Sequence, residues 1–258
     1  PPNSGVKRMM PLYEAKMIHH FDHRWATYEP DGTTRLVTAE EKADPTFVVM
    51  PRYWVAESEV DERLDGKVDT DWLLGWRDIC RSTDERTMIT SVLPRAAVNH
   101  KLPLAFTSHQ DSLAAVWSSF AFDYVARQKI GGTSMTYFYL KQFPSPTPRT
   151  IKSSAFGRLA TRNTCHLRES ELSPQDRNQV RAELDAALFH LYGIDRDNVD
   201  YIMDTFPIVK RKDEAEYGEY RTKRLILAAY DAMSEAEATG IPSHSPTGID
   251  DTAMEATT

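Results

Sequence analysis

Three imidazoles and a carboxylate fall together in the run His19-His20-Phe21-Asp22-His23-Arg24, enough donors in principle for a metal ion. On a strand, His19 and Phe21 would face one way and His20 and Asp22 the other, so the run does not converge without a partner from elsewhere. We therefore expect no metal here, but histidines that bond backbone or approach DNA phosphate. A second constellation spans Trp76 to Thr87, where Arg77, Arg81 and Arg86 stand among short polar residues. The planar fork of arginine matches the two acceptors of guanine in the major groove. The same spacing lets Arg77 pair with Asp78, or Arg86 with Glu85, and both readings stay open. A third, Arg127-Gln128-Lys129 followed by Gly131-Gly132, sets cationic and amide donors beside backbone that can approach a ligand closely. It reads equally as a solvated helix end with a glycine cap. Tyr137, Phe138 and Tyr139 could stack on bases, though an alternating strand explains them better.

Other chemistry finds no support. Asp195, Asp197 and Asp200 resemble the start of a calcium loop, but the required glycine and terminal glutamate are missing, so Asp197 is expected to cap a helix. There is no glycine-rich phosphate loop ending in Lys-Ser/Thr, no nucleophile elbow, and no spacing that pairs two carboxylates for acid-base work. Cys80 and Cys165 lie far apart and read as packing residues. No catalytic residue and no cofactor is expected in this chain.

Charge distribution favours a polyanionic partner despite a formal net charge of -7. From Asp231 onward the chain has acidic residues and no Lys or Arg, so the excess sits at the end. From Tyr124 to Arg168, Arg127, Lys129, Lys141, Arg149, Lys152, Arg158, Arg162 and Arg168 occur without a single Asp or Glu. Such a stretch suits nucleic acid. With 258 residues, 41% of them hydrophobic, the chain can bury a real core. Neither an apolar run of membrane length nor a secretory start is visible, so a cytoplasmic, bacterial location with no membrane partner is expected. The first residue is Pro1 rather than methionine, which suggests a fragment.

The elements that would hold these residues divide into two kinds. Pro30-Asp31-Gly32 predicts a turn between two strands, and Thr46 to Met50 a short strand. Thr83 to Leu93 predicts a short helix ended by Pro94. Asp111 should cap a stronger helix, with Leu113, Val116, Trp117, Phe120 and Tyr124 on one face. Gly131-Gly132 breaks it, and Met135 to Leu140 reads as a strand. Three prolines in Pro144 to Pro148 mark a domain boundary. Beyond it, Ser173-Pro174 starts a helix with the stripe Val180, Leu184, Leu188 and Leu191, stopped at Gly193. Further helices are expected over Asn198 to Asp204 and from near Glu219 through Met233. The fold class is thus α+β: a strand-rich domain over 1–148, a helical subdomain over 149–240, and a disordered acidic tail over 241–258.

Several blocks carry a family resemblance: Met10 to Arg24 (MPLYEAKMIHHFDHR), Trp76 to Ile79, Asp84 to Ile89, Phe122 to Gly132 (FDYVARQKIGG) and Asp204 to Val209. As an ordered set, from Met9 to about Met233 but leaving out Pro148 to Ser173, they resemble the carboxy-terminal region of restriction-associated adenine-specific DNA methyltransferases. That group includes type IIG restriction-modification enzymes and the methylases of DISARM-like phage-defence systems. The resemblance implies a TaqI-like target-recognition region with a helical extension, acting on double-stranded DNA. It also implies an upstream S-adenosylmethionine domain, with an Asn-Pro-Pro-aromatic motif, that methylates a flipped adenine. Neither that motif nor a glycine-rich cofactor turn occurs here, so the catalytic half is expected to belong to a missing part of the same polypeptide. Possible further partners are defence-system subunits. Candidate DNA contacts are Lys16, His20, His23, Arg24, Arg77, Arg81, Arg86, Arg127, Gln128, Lys129, Gly131, Gly132 and Lys141. The alternative is a scaffold that docks the catalytic domain or a defence partner and leaves DNA contact to another region.

Overall fold

A computed structural model describes residues 7–169 and 172–239. The expected tail over 241–258 lies outside the described residues. The chain divides into two compact units, one made of residues up to Ser118 with Phe122–Ser145, the other of Ser119–Ala121 with the chain from Pro146. The architecture mixes helices with small sheets in the first unit and is helical in the second. Among the described residues no helix is long and apolar enough to cross a membrane.

In chain order the first unit carries β1 (Met9–Tyr13), a 3-10 turn (Ala15–Met17), β2 (Ala26–Tyr28), β3 (Thr34–Leu36), α1 (Ala39–Ala43), β4 (Trp54–Ala56), α2 (Glu57–Leu64) and β5 (Trp72–Trp76). There follow β6 (Thr90–Pro94), β7 (Ala97–Val98), β8 (Leu104–Ala105), α3 (Gln110–Ser118), most of α4 (Phe120–Lys129) and α5 (Tyr137–Leu140). β1 is the middle of a three-stranded sheet, antiparallel to β4 and parallel to β7. β5 is the middle of another, antiparallel to both β6 and β8. Leu73, Leu74 and Trp76 are wholly buried, as befits a central strand covered on both faces. β2 and β3 form the hairpin that Pro30-Asp31-Gly32 implied, with Oδ1 of Asp31 accepting from the amide and hydroxyl of Thr33. Tyr13, Met17, Ile18, Leu73, Leu93 and Leu102 belong to one buried cluster beneath these elements.

The second unit holds α6 (Pro148–Ser153), α7 (Ala155–Glu169), α8 (Pro174–Leu191), α9 (Arg196–Asp204), α10 (Pro207–Tyr217) and α11 (Arg221–Thr239). α8 runs through its middle, packed against α7 and α11, and every residue from Ala182 to Phe189 is buried. Its start is the expected one: Oγ of Ser173 accepts from the Asp176 amide, with Pro174 in the first turn. Asp185 on α8 accepts the Phe120 amide at 2.7 Å and so caps the start of α4. α6 and α7 meet so closely that a Cβ on Gly157 would lie 2.2 Å from the Ile151 carbonyl oxygen, which only glycine permits.

Several local expectations are corrected. Thr83 to Leu93 is not a helix: the amides of Thr87 and Met88 bond the Asp123 carboxylate, and Thr90 onward joins β5 as β6. Met135 to Leu140 is not a strand. The Met135 carbonyl takes the indole N–H of Trp76 at 2.8 Å, and the chain then coils into α5. Thr46 to Met50 stays outside regular structure, its Met50 amide spent on the Thr27 hydroxyl. The stripe from Leu113 to Tyr124 belongs to two helices, because the chain breaks at the fully buried Ser119. Asp195 rather than Asp197 caps α9, accepting from the Asn198 amide at 2.9 Å. α6, α7 and α10 answer no expectation.

Candidate nucleic-acid interface

The histidine-rich run forms a tight turn. His19 and Asp22 exchange backbone hydrogen bonds of 2.7 and 2.9 Å, and Phe21 between them adopts φ 59°, a left-handed conformation that is strained for a bulky residue. The turn is held from several sides. The Phe21 amide reaches the Thr90 carbonyl at 3.4 Å. Asp22 accepts the Arg24 amide at 2.8 Å and pairs with Lys42 at 2.6 Å. Arg24 donates to the carbonyls of Asp44, at 3.1 Å, and Lys42, at 2.5 Å. His19 lies against Trp25 and His20 against Phe21. Burial pushes His23 below its ordinary pKa, with Asp22 opposing, which favours the neutral ring. Among the described residues no three His, Cys, Asp or Glu side chains gather as a metal site. Lys16 is exposed on the neighbouring 3-10 turn, its ammonium 4.5 Å from the Tyr28 ring centroid.

Arg77 follows directly on β5, and its fork folds back onto the turn. Nε at 2.9 Å, and Nη2 as well, donate to the Ile18 carbonyl oxygen. Burial lowers the pKa of this guanidinium, with Asp84 opposing.

A buried carboxylate organises the next stretch. Asp123 on α4 has no exposed surface and accepts from Nε of Arg86 at 2.5 Å and from the Thr87 amide at 3.0 Å. Nε of Arg127 stands 3.7 Å away. Arg86 also donates to the Ser118 carbonyl at 2.7 Å, and Arg127 to those of Asp84 and Glu85 at 2.9 and 3.1 Å. Arg86 and Arg127 therefore turn their forks inward and pin α4 to the segment before β6. Arg86, for which an ion pair was left open, pairs with Asp123.

Asp78 does the same for the glycine loop. Its carboxylate accepts from Lys101 at 2.6 Å and from the Ser134 hydroxyl at 3.0 Å. Its carbonyl accepts the Met135 amide at 2.6 Å, and the Cys80 amide bonds the Thr133 carbonyl at 3.1 Å. Burial, with Asp78 nearby, pushes the Cys80 thiol up to about 12, so it stays a packing group. These bonds pair the chain just before Arg81 with the chain just after Gly131-Gly132. The sequence matches no family model and no curated protein.

What the arrangement offers is a set of donors directed at solvent. Arg81, Gln128, Lys129, Gly131, Gly132 and Lys141 are exposed. The side chains of Arg81, Gln128, Lys129 and Lys141 hold no hydrogen bond or ion pair among the described residues. The glycine pair is informative for what it lacks: a Cβ on either glycine would meet nothing within 4 Å, and neither has positive φ. The fold itself has no need of glycine there. Asp78, weighed in the sequence as a partner of Arg77, pairs instead with Lys101, and Asp123 was not singled out at all, because Lys101 and Arg86, which engage them, lie more than twenty positions away. The one signal was position: Asp123 is the last acid before the long acid-free stretch, in an apolar helix.

Proposed function

We propose that this chain binds duplex DNA as the target-recognition region of a restriction-associated adenine-specific DNA methyltransferase, and that an upstream S-adenosylmethionine domain of the same polypeptide transfers the methyl group. The observation that carries the reading is the pairing of Ile79 and Cys80 with Ser134 and Thr133, which joins the chain just before Arg81 to the chain just after Gly131-Gly132. Unengaged cations and an amide there surround backbone left bare by two glycines that the fold does not require. Bare backbone flanked by cations suits close approach of a phosphodiester. The ordered sequence blocks that resemble the methyltransferases point the same way, and two of them are tied together by the Arg77 bond to the Ile18 carbonyl.

Roles divide by where each donor points. Arg77, Arg86, Arg127 and Arg24 spend hydrogen bonds on the chain itself and act by positioning. Arg81, with its fork in solvent, is the arginine we assign to base reading, and Lys129 and Lys141 to phosphate. Duplex binding measured by fluorescence anisotropy across a salt series tests this. The logarithm of affinity should fall steeply with the logarithm of salt, and Lys129→Ala should make the slope shallower by about one unit. A chain that binds no duplex even at low salt rules the reading out.

One feature favours the scaffold alternative. Val48, Met50, Tyr53 and Trp54 are 65%, 51%, 54% and 44% exposed around the edge strand β4, and grouped exposed apolar side chains mark docking surfaces. Substituting Tyr53 and Trp54 together with Ser should spare DNA binding if this face serves only a protein partner.

A further inference from the structure

Phe138 is the most exposed large apolar side chain among the described residues, at 72%. Its ring meets the adjacent Tyr139 edge-on, with centroids 5.7 Å apart, and is otherwise turned to solvent. The helix packs through other residues. The Tyr137 ring stands edge-on to Trp76 at 4.9 Å and its hydroxyl donates to the Leu104 carbonyl at 3.1 Å. Leu140 and Phe143 are buried. Ahead of the helix, Met135 is wholly buried and bonded through both its amide and its carbonyl. The short helix α5 is thus fixed at both ends while one phenyl ring projects from it.

We propose that Phe138 is a wedge that enters the base stack of duplex DNA, a role that rests on the DNA-binding reading above. An apolar ring presented on a fixed mount can part a base step with little further loss of conformational freedom. Its surroundings match that occupant in charge. Lys141 lies three residues on, along the same side of the helical turn, and the Gln142 amide is held beside it by a bond to the Phe138 carbonyl at 2.9 Å. From Tyr124 to Ser145, the part of the acid-free stretch that lies in this unit, no acid occurs, and Lys129 and Lys141 stand exposed while the Arg127 fork is spent on the chain. Phosphates flanking an opened step would meet these two ammonium groups. A protein partner reading the same ring would have no such requirement.

The test compares binding of the full chain to two duplexes that differ only in one abasic position, where the stack is already broken. A wedge does not have to unstack that step, so the unsubstituted protein should prefer the abasic duplex by about tenfold or more. Phe138→Ala should bring the ratio of affinities close to one, Phe138→Trp should keep it, and thermal unfolding should not change for either, the ring being exposed. A ratio near one for the unsubstituted protein, or one that survives Phe138→Ala, overturns the wedge while leaving DNA binding in place. The second of these results would suit a ring that docks protein. Failure to bind either duplex would instead remove the DNA-binding reading and the wedge with it.

Discussion

The guanidinium of Arg77 closes on the carbonyl oxygen of Ile18 through both Nε, at 2.9 Å, and Nη2, joining the end of β5 to a turn 59 residues earlier in the chain. A charged fork on a single backbone oxygen is a strong, directional tether. It holds the strained Phe21 turn against the end of β5.

Removing that tether should loosen the turn rather than erase a contact to DNA. Arg77→Ala is expected to lower unfolding stability by about 1.5 to 3 kcal/mol, read as a lower urea midpoint at unchanged slope. Arg77→Lys should recover only part of the loss, since an ammonium cannot span the oxygen in the same way. A variant as stable as the parent would show the tether to be dispensable.

Asp123 should be the most sensitive of the polar residues. Asp123→Ala leaves Arg86 buried without its carboxylate and strips the Thr87 amide of its acceptor, a loss of about 3 to 5 kcal/mol. Arg86→Ala should cost a similar amount, and the double variant less than the two together because they share one interaction. Additive losses by chemical denaturation would contradict the pairing.

Arg81 should behave in the opposite way. Arg81→Ala is expected to leave the melting temperature unchanged and to weaken DNA binding, costing about 1 to 3 kcal/mol on a preferred site with relaxed preference at one base position. Selection of a preferred duplex from a randomised-site pool by the chain and by its Arg81→Ala variant is the direct comparison. Unchanged site preference would move base reading to another segment.

Glycine-to-alanine changes at 131 and 132 separate fold from function. Because the added methyl meets nothing and φ is not positive, each should be neutral or stabilising by about 0.4 to 1 kcal/mol through the unfolded chain. Duplex affinity should nevertheless fall. Stability gained with affinity unchanged would mean that no phosphate approaches this backbone.

His23 makes stability depend on pH with a definite sign. Its folded pKa lies below its ordinary value because burial disfavours the imidazolium. Between the folded and unfolded pKa the unfolded chain therefore binds more protons, and stability falls as pH drops below about 6.5. Urea midpoints measured from pH 8 to pH 5 should show this fall, and His23→Gln should flatten that part of the curve. A curve of the same shape for the variant would assign the acid sensitivity to other groups.

Where a structural choice depends on a few neighbouring residues, it was legible in the sequence. Pro30-Asp31-Gly32 makes its hairpin because an aspartate carboxylate can accept from the amide two residues on. Ser173-Pro174 starts α8 because a serine hydroxyl and a preset φ satisfy the first turn locally. The long stripe from Val180 to Leu188 could only be a buried helix face. The arginines were different. Arg77, Arg81 and Arg86 have the same chemistry and similar neighbours in the chain, yet one ties a turn, one faces solvent and one is buried on Asp123. That choice rests on a carbonyl 59 residues away and a carboxylate 37 residues away, which no local pattern encodes. The same distant carboxylate occupies the amides of Thr87 and Met88 and so replaces the expected helix with the approach to β6. Likewise the aromatic run at Tyr137 favours a strand by propensity, but Trp76 and Leu104 already engage its backbone approach and its hydroxyl. Tertiary hydrogen bonding outweighed a preference worth at most about 1 kcal/mol per residue, and in doing so left Phe138 pointing into solvent.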